Sequence, residues 1–528
     1  MNTGFGIWDL EPRKKSETQF DSHLLNDLGV KINNLVTDSR MVKPGDTFLA
    51  YVGDKFDARE FIPQAIAAGA NAVLWERQRG FAWNLAWQVP NLPIARLKTK
   101  AGMIASQIYG QPSQKLWLIG ITGTNGKTSC SHWIAQAMTV LGRKTAVIGT
   151  LGNGFPGALK STANTTPDAV LLQQEMADYL RHGAECVAME VSSHGIEQER
   201  INGAAFAVAL FTNLSRDHLD YHDSMKEYAA VKARLFLWPG LKYAVLNLDD
   251  VFGIELSQRL AGMPTQIIGY GFEESGIGSR DSGKISVVHG SNLKSSIGGL
   301  EFDIAFKNEQ AKFKTEVVVG RFNASNLLAV LATLLARGIK LADAVQAVQQ
   351  VRPIAGRMER LGGGDQPLVV VDYAHTPDAL EKVLTTLREV LRSSETDQKA
   401  KTQNSKLICV FGCGGERDRG KRPLLGKVAS RLADEIIITS DNPRSENPRD
   451  IISEIAAAAD ANYHIEEDRA AAICRAIHDA RQGDVVLIAG KGHEVYQEIG
   501  ERKFPFSDSE VARQVLQDMA AQKVQAQG

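Results

Sequence analysis

Lys127 and Thr128 close a glycine-rich stretch, GITGTNGKTSC, at residues 120–130. A lysine and a hydroxyl side by side after glycines suit phosphoryl chemistry. The glycines let backbone N–H groups turn toward phosphate oxygens, the lysine reaches the β- and γ-phosphates, and the hydroxyl ligates Mg²⁺. The common pattern G-x-x-x-x-G-K-[ST] asks for a glycine at 121, where Ile121 stands; glycines occupy 120 and 123 instead. A tight strand–helix turn with a surface lysine is the plainer alternative. The flanks favour a phosphate loop. The apolar run LWLIGI precedes it and the helical pattern TSCSHWIAQAMTVLG follows, so a helix N-terminus would add its positive dipole end. ATP is the expected ligand, on Gly123, Thr124, Asn125, Gly126, Lys127, Thr128 and Ser129.

A metal on Thr128 needs further ligands. Glu190 ends the apolar run CVAME, and a carboxylate buried there is costly unless it meets a cation. His218, in NLSRDHLDYH, also follows an apolar run and has Asp217 and Asp220 beside it.

These side chains need strands and helices to set them, and the chain has the pattern for both. From about residue 114, short apolar runs (LWLIGI, TAVIGT, CVAMEVSSHG, AVALFTNLS, YAVLNLDD) alternate with helical stretches, which predicts a parallel sheet flanked by helices. The alternation restarts near residue 353 with LVVVDYAH, KLICVFGCGG, EIIITSDNPR and DVVLIAGKGHE. The polar clusters of both units follow strand ends, where open α/β sheets bind ligands. At 528 residues the chain is too long for one core. The expectation is an α/β protein of three domains: a smaller α/β unit at 1–113, a P-loop ATPase-like parallel sheet at 114–352, and a Rossmann-like unit at 353–528. Residues 272–296, rich in Gly and Ser, read as loops or hairpins. NASNLLAVLATLLARG reads as an amphipathic helix stopped by Gly338, and SSETDQKAKTQNSK as an exposed loop. Trp8 and the nearby EPRKKSE have no derivable role.

Composition narrows the classes. The chain is 44% hydrophobic and 23% charged with a net charge of −1, so no global field draws it to nucleic acid. No signal-peptide core or long charge-free apolar run is seen, so no membrane insertion is expected. The five cysteines, Cys130, Cys186, Cys409, Cys413 and Cys474, fit no zinc spacing and read as buried free thiols in a reducing cytoplasm. GCGG tempts a dinucleotide reading, but G-x-G-x-x-G from Gly412 needs glycine at 417, where Arg417 stands.

GTNGKT, NTTP, EVSSHG, NLSRDHLDYH, GRFNASN, GRME, DYAHTP, GCGGERDRGKR, DNPR and GKGHE occur in this order. As a set they strongly resemble the Mur ligase family of bacterial cell-wall synthesis, with TDSRMVKPGDTFLAYVG extending the match toward the start. The family's loop is the short form G-T-x-G-K-T from Gly123, so Ile121 belongs to the strand. The resemblance implies a first domain for a UDP-sugar, a second for ATP and a third for an incoming amino acid. It implies that the D-glutamate γ-carboxylate of UDP-MurNAc-L-Ala-D-Glu is joined to an amine of meso-diaminopimelate as ATP becomes ADP and phosphate. It also implies Mg²⁺ shared by Thr128, Glu190, His218 and Lys232, the last as a carbamate formed with CO₂, and catalytic roles for Lys127, Glu190, His218 and Lys232. Carbamylation needs the neutral amine, hence a lowered lysine pKa. Asn323 would contact adenine, and Arg357, Asp372 and His375 would close over the nucleotide. Ser39, Asn164, Thr165, Thr166, Ser192, Gln198 and Arg200 match contacts to the UDP-sugar substrate. A monomer is implied.

The amino acid is suggested by DNPR. Diaminopimelate differs from lysine by a distal carboxylate, which a planar, bidentate cation such as Arg444 would select. Asp441, Asn442, Pro443, Arg417, Gly490 and Glu494 match the other contacts, and a ligand lacking that carboxylate would leave Arg444 unpaired. One alternative is another amide ligase of the same architecture, such as a folylpolyglutamate synthase or a ligase for a different wall residue, disfavoured by TDSR and DNPR; the second is an ATP-binding protein that recycles or senses wall peptides without ligating, which would lack some metal or nucleotide residues.

Overall fold

Strand Trp117–Thr122 is buried at every position, as a central parallel strand covered on both faces must be. It lies between Val208–Phe211 and Cys186–Glu190, parallel to both. The computed structural model describes residues 11, 20–53, 56–272, 285–296, 298–396, 405–460 and 462–527. Trp8 and positions 273–284 and 397–404 lie outside them.

Among the described residues the central sheet has eleven strands. In spatial order they are Glu309–Thr315, Gly299–Phe306, Ile285–Ser296, Gln266–Gly271, Tyr243–Asn247, Val208–Phe211, Trp117–Thr122, Cys186–Glu190, Thr145–Gly149, Gly152–Phe155 and Ala158–Lys160. Alternate residues feed opposite faces. Ile119 and Ile121 pack with helices Lys127–Val140 and Arg321–Ala336, while Leu118 and Val187 pack with Ala169–Arg181, Met225–Phe236 and Val251–Leu260. The Gly/Ser-rich stretch expected as loops or hairpins supplies a 12-residue strand, Ile285–Ser296, which hairpins with Gly299–Phe306. Helix Arg321–Ala336 is buried almost all round rather than amphipathic, because it is wedged between the sheet and helices Lys127–Val140 and Leu341–Val348. Its expected stop holds: Gly338 adopts φ 84° and donates its N–H to Leu335.

A four-stranded parallel sheet, Leu35–Val36, Thr47–Ala50, Ala72–Glu76 and Asn91–Ile94, precedes the central one. Helix Leu97–Ile108 joins the two units, and a Cβ at its Gly102 would fall 1.9 Å from the carbonyl oxygen of Asn202. Asn202 in turn donates to the carbonyl of Thr99 at 3.0 Å.

The third sheet runs Glu359–Gly362, Leu368–Asp372, Val485–Ala489, Leu407–Phe411, Glu435–Ile438 and Tyr463–Ile465. Helices Pro377–Thr396, Lys421–Leu432 and Pro448–Ala456 cover one face, and Arg469–Asp479 and Asp508–Gln527 the other. Helix Pro377–Thr396 takes the first residues of the segment expected as a loop. Cys130, Cys186, Cys409 and Cys413 are buried free thiols, as expected, and Cys474 is half-buried.

Beneath the third sheet's strand ends sits a wholly buried ion pair. Arg469 Nε and Nη2 donate to Asp508 at 2.7 and 2.8 Å, and Nη2 also reaches the carbonyl of Ala489 at 2.9 Å. The pair ties helix Asp508–Gln527 to the strand end from which Gly490 follows. Removing one partner strands the other charge in the core, so Asp508→Asn is expected to cost about 3–5 kcal/mol. Urea unfolding of this variant, with Arg469→Met/Asp508→Leu as the less destabilised double variant, checks it.

Candidate active site

The glycine-rich loop lies between strand Trp117–Thr122 and helix Lys127–Val140, the strand–loop–helix order expected of it. Gly123 and Gly126 adopt φ 149° and 86°, and a Cβ at either would collide, with Thr212 Oγ1 at 1.9 Å and with Asn326 Oδ1 at 2.5 Å. The segment after strand Val208–Phe211 holds the loop in place. Thr124 N–H donates to Asn213 O at 2.8 Å, Asn125 N–H to Asn213 Oδ1 at 3.0 Å, and Thr212 Oγ1 to Asn125 O at 2.6 Å. Ser129 is buried in the first turn of the following helix.

Two lysines meet on one carbonyl. Lys127 Nζ donates to Gly123 O and Thr124 O, both at 2.8 Å, and Lys232 Nζ donates to the same Gly123 O at 3.0 Å. Two ammonium groups on one oxygen, out of water, repel. Burial, with Lys127 adding to it, pushes the Lys232 amine well below the lysine range. Burial also lowers Lys127, but Glu190 and Asp217 oppose the shift.

Glu190 is fully buried, at 0% exposure. Its Oε2 accepts the hydroxyls of Thr128 and Thr150, each at 3.1 Å, and its Oε1 accepts Thr150 N–H at 2.9 Å. These donors are neutral, and no ion pair to Glu190 is present among the described residues. Thr128 and Glu190 are thus brought together as expected. His218, in the left-handed region at φ 55°, pairs instead with Asp217, its Nε2 3.3 Å from Oδ2. Burial drives its imidazole pKa down to about 3 against the pull of Asp217, leaving a neutral ring. Burial disfavours the Asp217 carboxylate too, yet His218 and His375 once protonated, with Lys421 and the His218 backbone N–H, outweigh it and hold its pKa below the carboxylate range. Among the described residues no three His, Cys, Asp or Glu side chains gather as a ready metal cage.

The third domain reaches into this centre. Arg357 Nη2 donates to Thr128 Oγ1 at 3.2 Å while its guanidinium lies 4.3 Å from the centre of the Tyr373 ring. His375 Nε2 stands 3.9 Å from Asp217 Oδ2. Asn125 donates to Asp378 at 3.2 Å, and Arg216 pairs with Asp418 at 3.3 Å. Asp372 accepts the N–H groups of Met358 and Ala374 at 2.7 and 2.8 Å, so its carboxylate serves the fold here, and burial raises its pKa. Asn323 donates to Val319 O at 2.9 Å, within its own helix entry, and Asn326 is the residue facing Gly126.

Four of the residues matched to the UDP-sugar cluster. Thr166 Oγ1 bonds Ser192 Oγ at 3.1 Å, Arg200 donates to Thr166 O at 2.9 Å, and Arg200 meets Gln198 Oε1 at 2.5 Å. Ser192 also caps helix Ser193–Glu197 through Gly195 N–H at 3.0 Å. Thr165 is linked to Glu190 through Thr150, the two hydroxyls lying 3.1 Å apart. Asn164 is exposed, and Ser39, in the first domain, shares its hydroxyl with Gln64 at 3.0 Å.

The residues matched to the amino acid meet at the strand ends of the third sheet. Arg444, at φ 51°, donates from Nε to Glu498 at 3.1 Å and from Nη1 to Gly415 O at 2.7 Å. The expectation that lysine would leave Arg444 unpaired therefore does not hold in this conformation, since Glu498 already partners it. Asn442 donates to Glu494 at 2.8 Å. A Cβ at Gly490 would sit 2.7 Å from Asp441 Oδ2, which explains a glycine at φ 113°. Pro443 O approaches Gly415 closely, and Arg417 is exposed at the mouth. Sequence reasoning missed Thr150, Thr212, Asn213, Asn326, Asp378, Glu498 and Lys491. Of these, Asn213, Asn326 and Lys491 carried a signal, lying inside the quoted NLSRDHLDYH, GRFNASN and GKGHE.

Residues 31–109 match the Mur ligase family catalytic domain, 121–334 the Mur ligase middle domain, and 356–492 the Mur ligase glutamate ligase domain. A relative from Nitrosomonas europaea, UDP-N-acetylmuramoyl-L-alanyl-D-glutamate--2,6-diaminopimelate ligase, is 60% identical over 506 residues, covering 96% of this chain and 97% of its own. The protein of that name from Chromobacterium violaceum is 49% identical, with 96% and 99% covered. A solved structure carrying the same enzyme name superposes with a TM-score of 0.64 at 35% identity, covering 93% of this chain and 95% of its own.

Proposed function

The chain belongs to the Mur ligase family, and from that premise we propose that it joins meso-diaminopimelate to UDP-MurNAc-L-Ala-D-Glu with ATP, through an acyl phosphate, in peptidoglycan precursor synthesis. The activity named for relatives at 60% and 49% identity supports the reaction. The observation that carries the geometry is Arg357 of the third domain donating to Thr128 in the phosphate loop. It joins the nucleotide centre to the unit holding the DNPR cluster. The domain assignments at 1–113, 114–352 and 353–528 belong to the same reading, as do a monomeric state and a cytoplasmic setting. No described helix is long and apolar enough to cross a membrane.

A carboxylate acylates poorly because oxide is a very poor leaving group. Transfer of the γ-phosphoryl group onto the D-glutamate γ-carboxylate releases ADP and leaves phosphate as the departing group. The diaminopimelate amine then attacks the carbonyl carbon, loses a proton, and expels phosphate as the amide forms. Lys127 neutralises the two approaching anions, and Arg357 supplies a second positive charge from the opposite domain. Thr128 and Glu190, a buried carboxylate with only neutral donors, fit Mg²⁺, with His218 on the neighbouring loop. When bound, Mg²⁺ would add Lewis-acid stabilisation of phosphate oxygens. Asn323, Asp372 and His375 would bound the nucleotide. Ser39, Asn164, Thr165, Thr166, Ser192, Gln198 and Arg200 would hold the UDP-sugar substrate. Arg417, Asp441, Asn442, Pro443, Arg444, Gly490 and Glu494 would hold the amino acid. Closure of the third domain shields the acyl phosphate from water.

The shared Gly123 carbonyl favours one neutral amine, and Lys232 is the more perturbed. Lys232 would add CO₂ and release a proton, giving an anion beside cationic Lys127 where two cations would repel. Activity in CO₂-depleted buffer is expected to fall and to recover on adding bicarbonate, whereas Lys232→Ala is expected to be low in both.

Phosphate release with UDP-MurNAc-L-Ala-D-Glu, ATP and Mg²⁺ tests the function, with meso-diaminopimelate and L-lysine in parallel. Turnover with diaminopimelate alone is expected. Turnover with lysine would overturn the role given to Arg444, and none with either would overturn the ligase reading.

A further inference from the structure

The turn after strand Val485–Ala489 buries a lysine that the reaction above does not use. The Lys491 side chain is 0% exposed, set between Gly490 and Gly492 at φ 113° and 53°. Its ammonium donates to Asn442 Oδ1 and to Glu494 Oε2, both at 2.9 Å, and lies 5.7 Å from the centre of the Tyr496 ring. Asn442 Nδ2 donates to the same Glu494 Oε2 at 2.8 Å, closing a ring of three side chains from two strand ends. Asn442 Oδ1 also accepts Glu498 N–H at 2.9 Å, and Glu498 carries the carboxylate that meets Arg444.

The ring fixes each member. Two donors on Asn442 Oδ1 and a carboxylate at Nδ2 leave its amide one orientation. Glu494 Oε2 is committed twice, while Oε1 meets no donor among the described residues, and the side chain is 18% exposed. A buried cation persists only where anions partner it, and here it is the lysine that lies deep while the carboxylate faces outward. Asp441, Glu494 and Glu498 crowd a site that must also admit substrate carboxylates, and Lys491 offsets one of those charges.

We propose that Lys491 is the positioning residue of the amino-acid site, aiming Glu494 Oε1 at a substrate ammonium and fixing the Asn442 amide within the DNPR turn. This rests on the ligase reading. Lys491 therefore governs KM for the amino acid and leaves nucleotide binding alone.

The test is steady-state kinetics of the full chain and its Lys491→Met and Lys491→Gln variants, each substrate varied in turn, with the Tm shift on adding ADP as a fold control. Loss of one partner of a buried, charged hydrogen-bond pair predicts a KM for diaminopimelate at least about 30-fold higher in Lys491→Met. KM values for ATP and the UDP-sugar substrate are expected to stay within about twofold. Lys491→Gln keeps a donor without the charge and is expected to fall between. An unchanged KM for diaminopimelate overturns the proposal. So does a joint rise in all three KM values with loss of the ADP shift in both variants, which would mark Lys491 as merely structural. Absence of diaminopimelate-dependent phosphate release in the unaltered protein overturns the ligase reading itself, a result seen before any variant is compared.

Discussion

Replacing Lys127 with methionine is expected to lower kcat by about 10³-fold, or about 4 kcal/mol of transition-state stabilisation. Lys127 is the cation placed by the loop itself, 2.8 Å from two of its carbonyls, and the repulsion between a carboxylate and a triphosphate is the main obstacle to the first step. Methionine fills similar space without charge or donors. The loop keeps its bonds to Thr212 and Asn213, so it should stay folded. Phosphate release at saturating substrates measures the loss, and an intact Tm shows the fold survives. A fall below about tenfold would mean that Arg357 or bound metal carries the charge stabilisation assigned to Lys127.

Glu190→Gln is expected to cost about 10²-fold in kcat and to raise the Mg²⁺ concentration for half-maximal rate. The substitution isolates charge from shape. A glutamine oxygen can still accept Thr150 N–H, and its NH₂ can face the Thr128 and Thr150 hydroxyls, which also accept. The buried network therefore survives while the negative charge is lost. A Mg²⁺ titration at fixed ATP reads it. An unchanged Mg²⁺ requirement would place the metal elsewhere.

The parts of this site that sequence reveals are local. The loop from Gly123 to Thr128 is contiguous, so its glycines, lysine and hydroxyl announce themselves together, and Glu190 stood out as a carboxylate ending an apolar run. Contacts made across long separations were not legible. Thr150 meets Glu190 across 40 residues, Asp378 meets Asn125 across 253, and Glu498 meets Arg444 across 54. The last of these bears on specificity: Arg444 already has a carboxylate partner, so under the proposed reaction it would discriminate by exchange rather than by being orphaned. The burial of Lys491 was hidden differently. A lysine between two glycines reads as a solvated turn, and only packing turns it into a buried cation. Helix Arg321–Ala336 escapes the amphipathic pattern because three of its polar residues, Asn323, Asn326 and Thr333, are buried with the apolar ones.

In the proposed reaction the D-glutamate carboxylate is phosphorylated before it is ligated. The direct measurement uses UDP-MurNAc-L-Ala-D-Glu labelled with oxygen-18 in the γ-carboxylate, with ATP, Mg²⁺ and meso-diaminopimelate, and mass analysis of the released phosphate. One labelled oxygen is expected in each phosphate, formed together with the tripeptide product. Phosphate released without label would contradict it, because the nucleotide would then be hydrolysed without its phosphoryl group ever reaching the substrate.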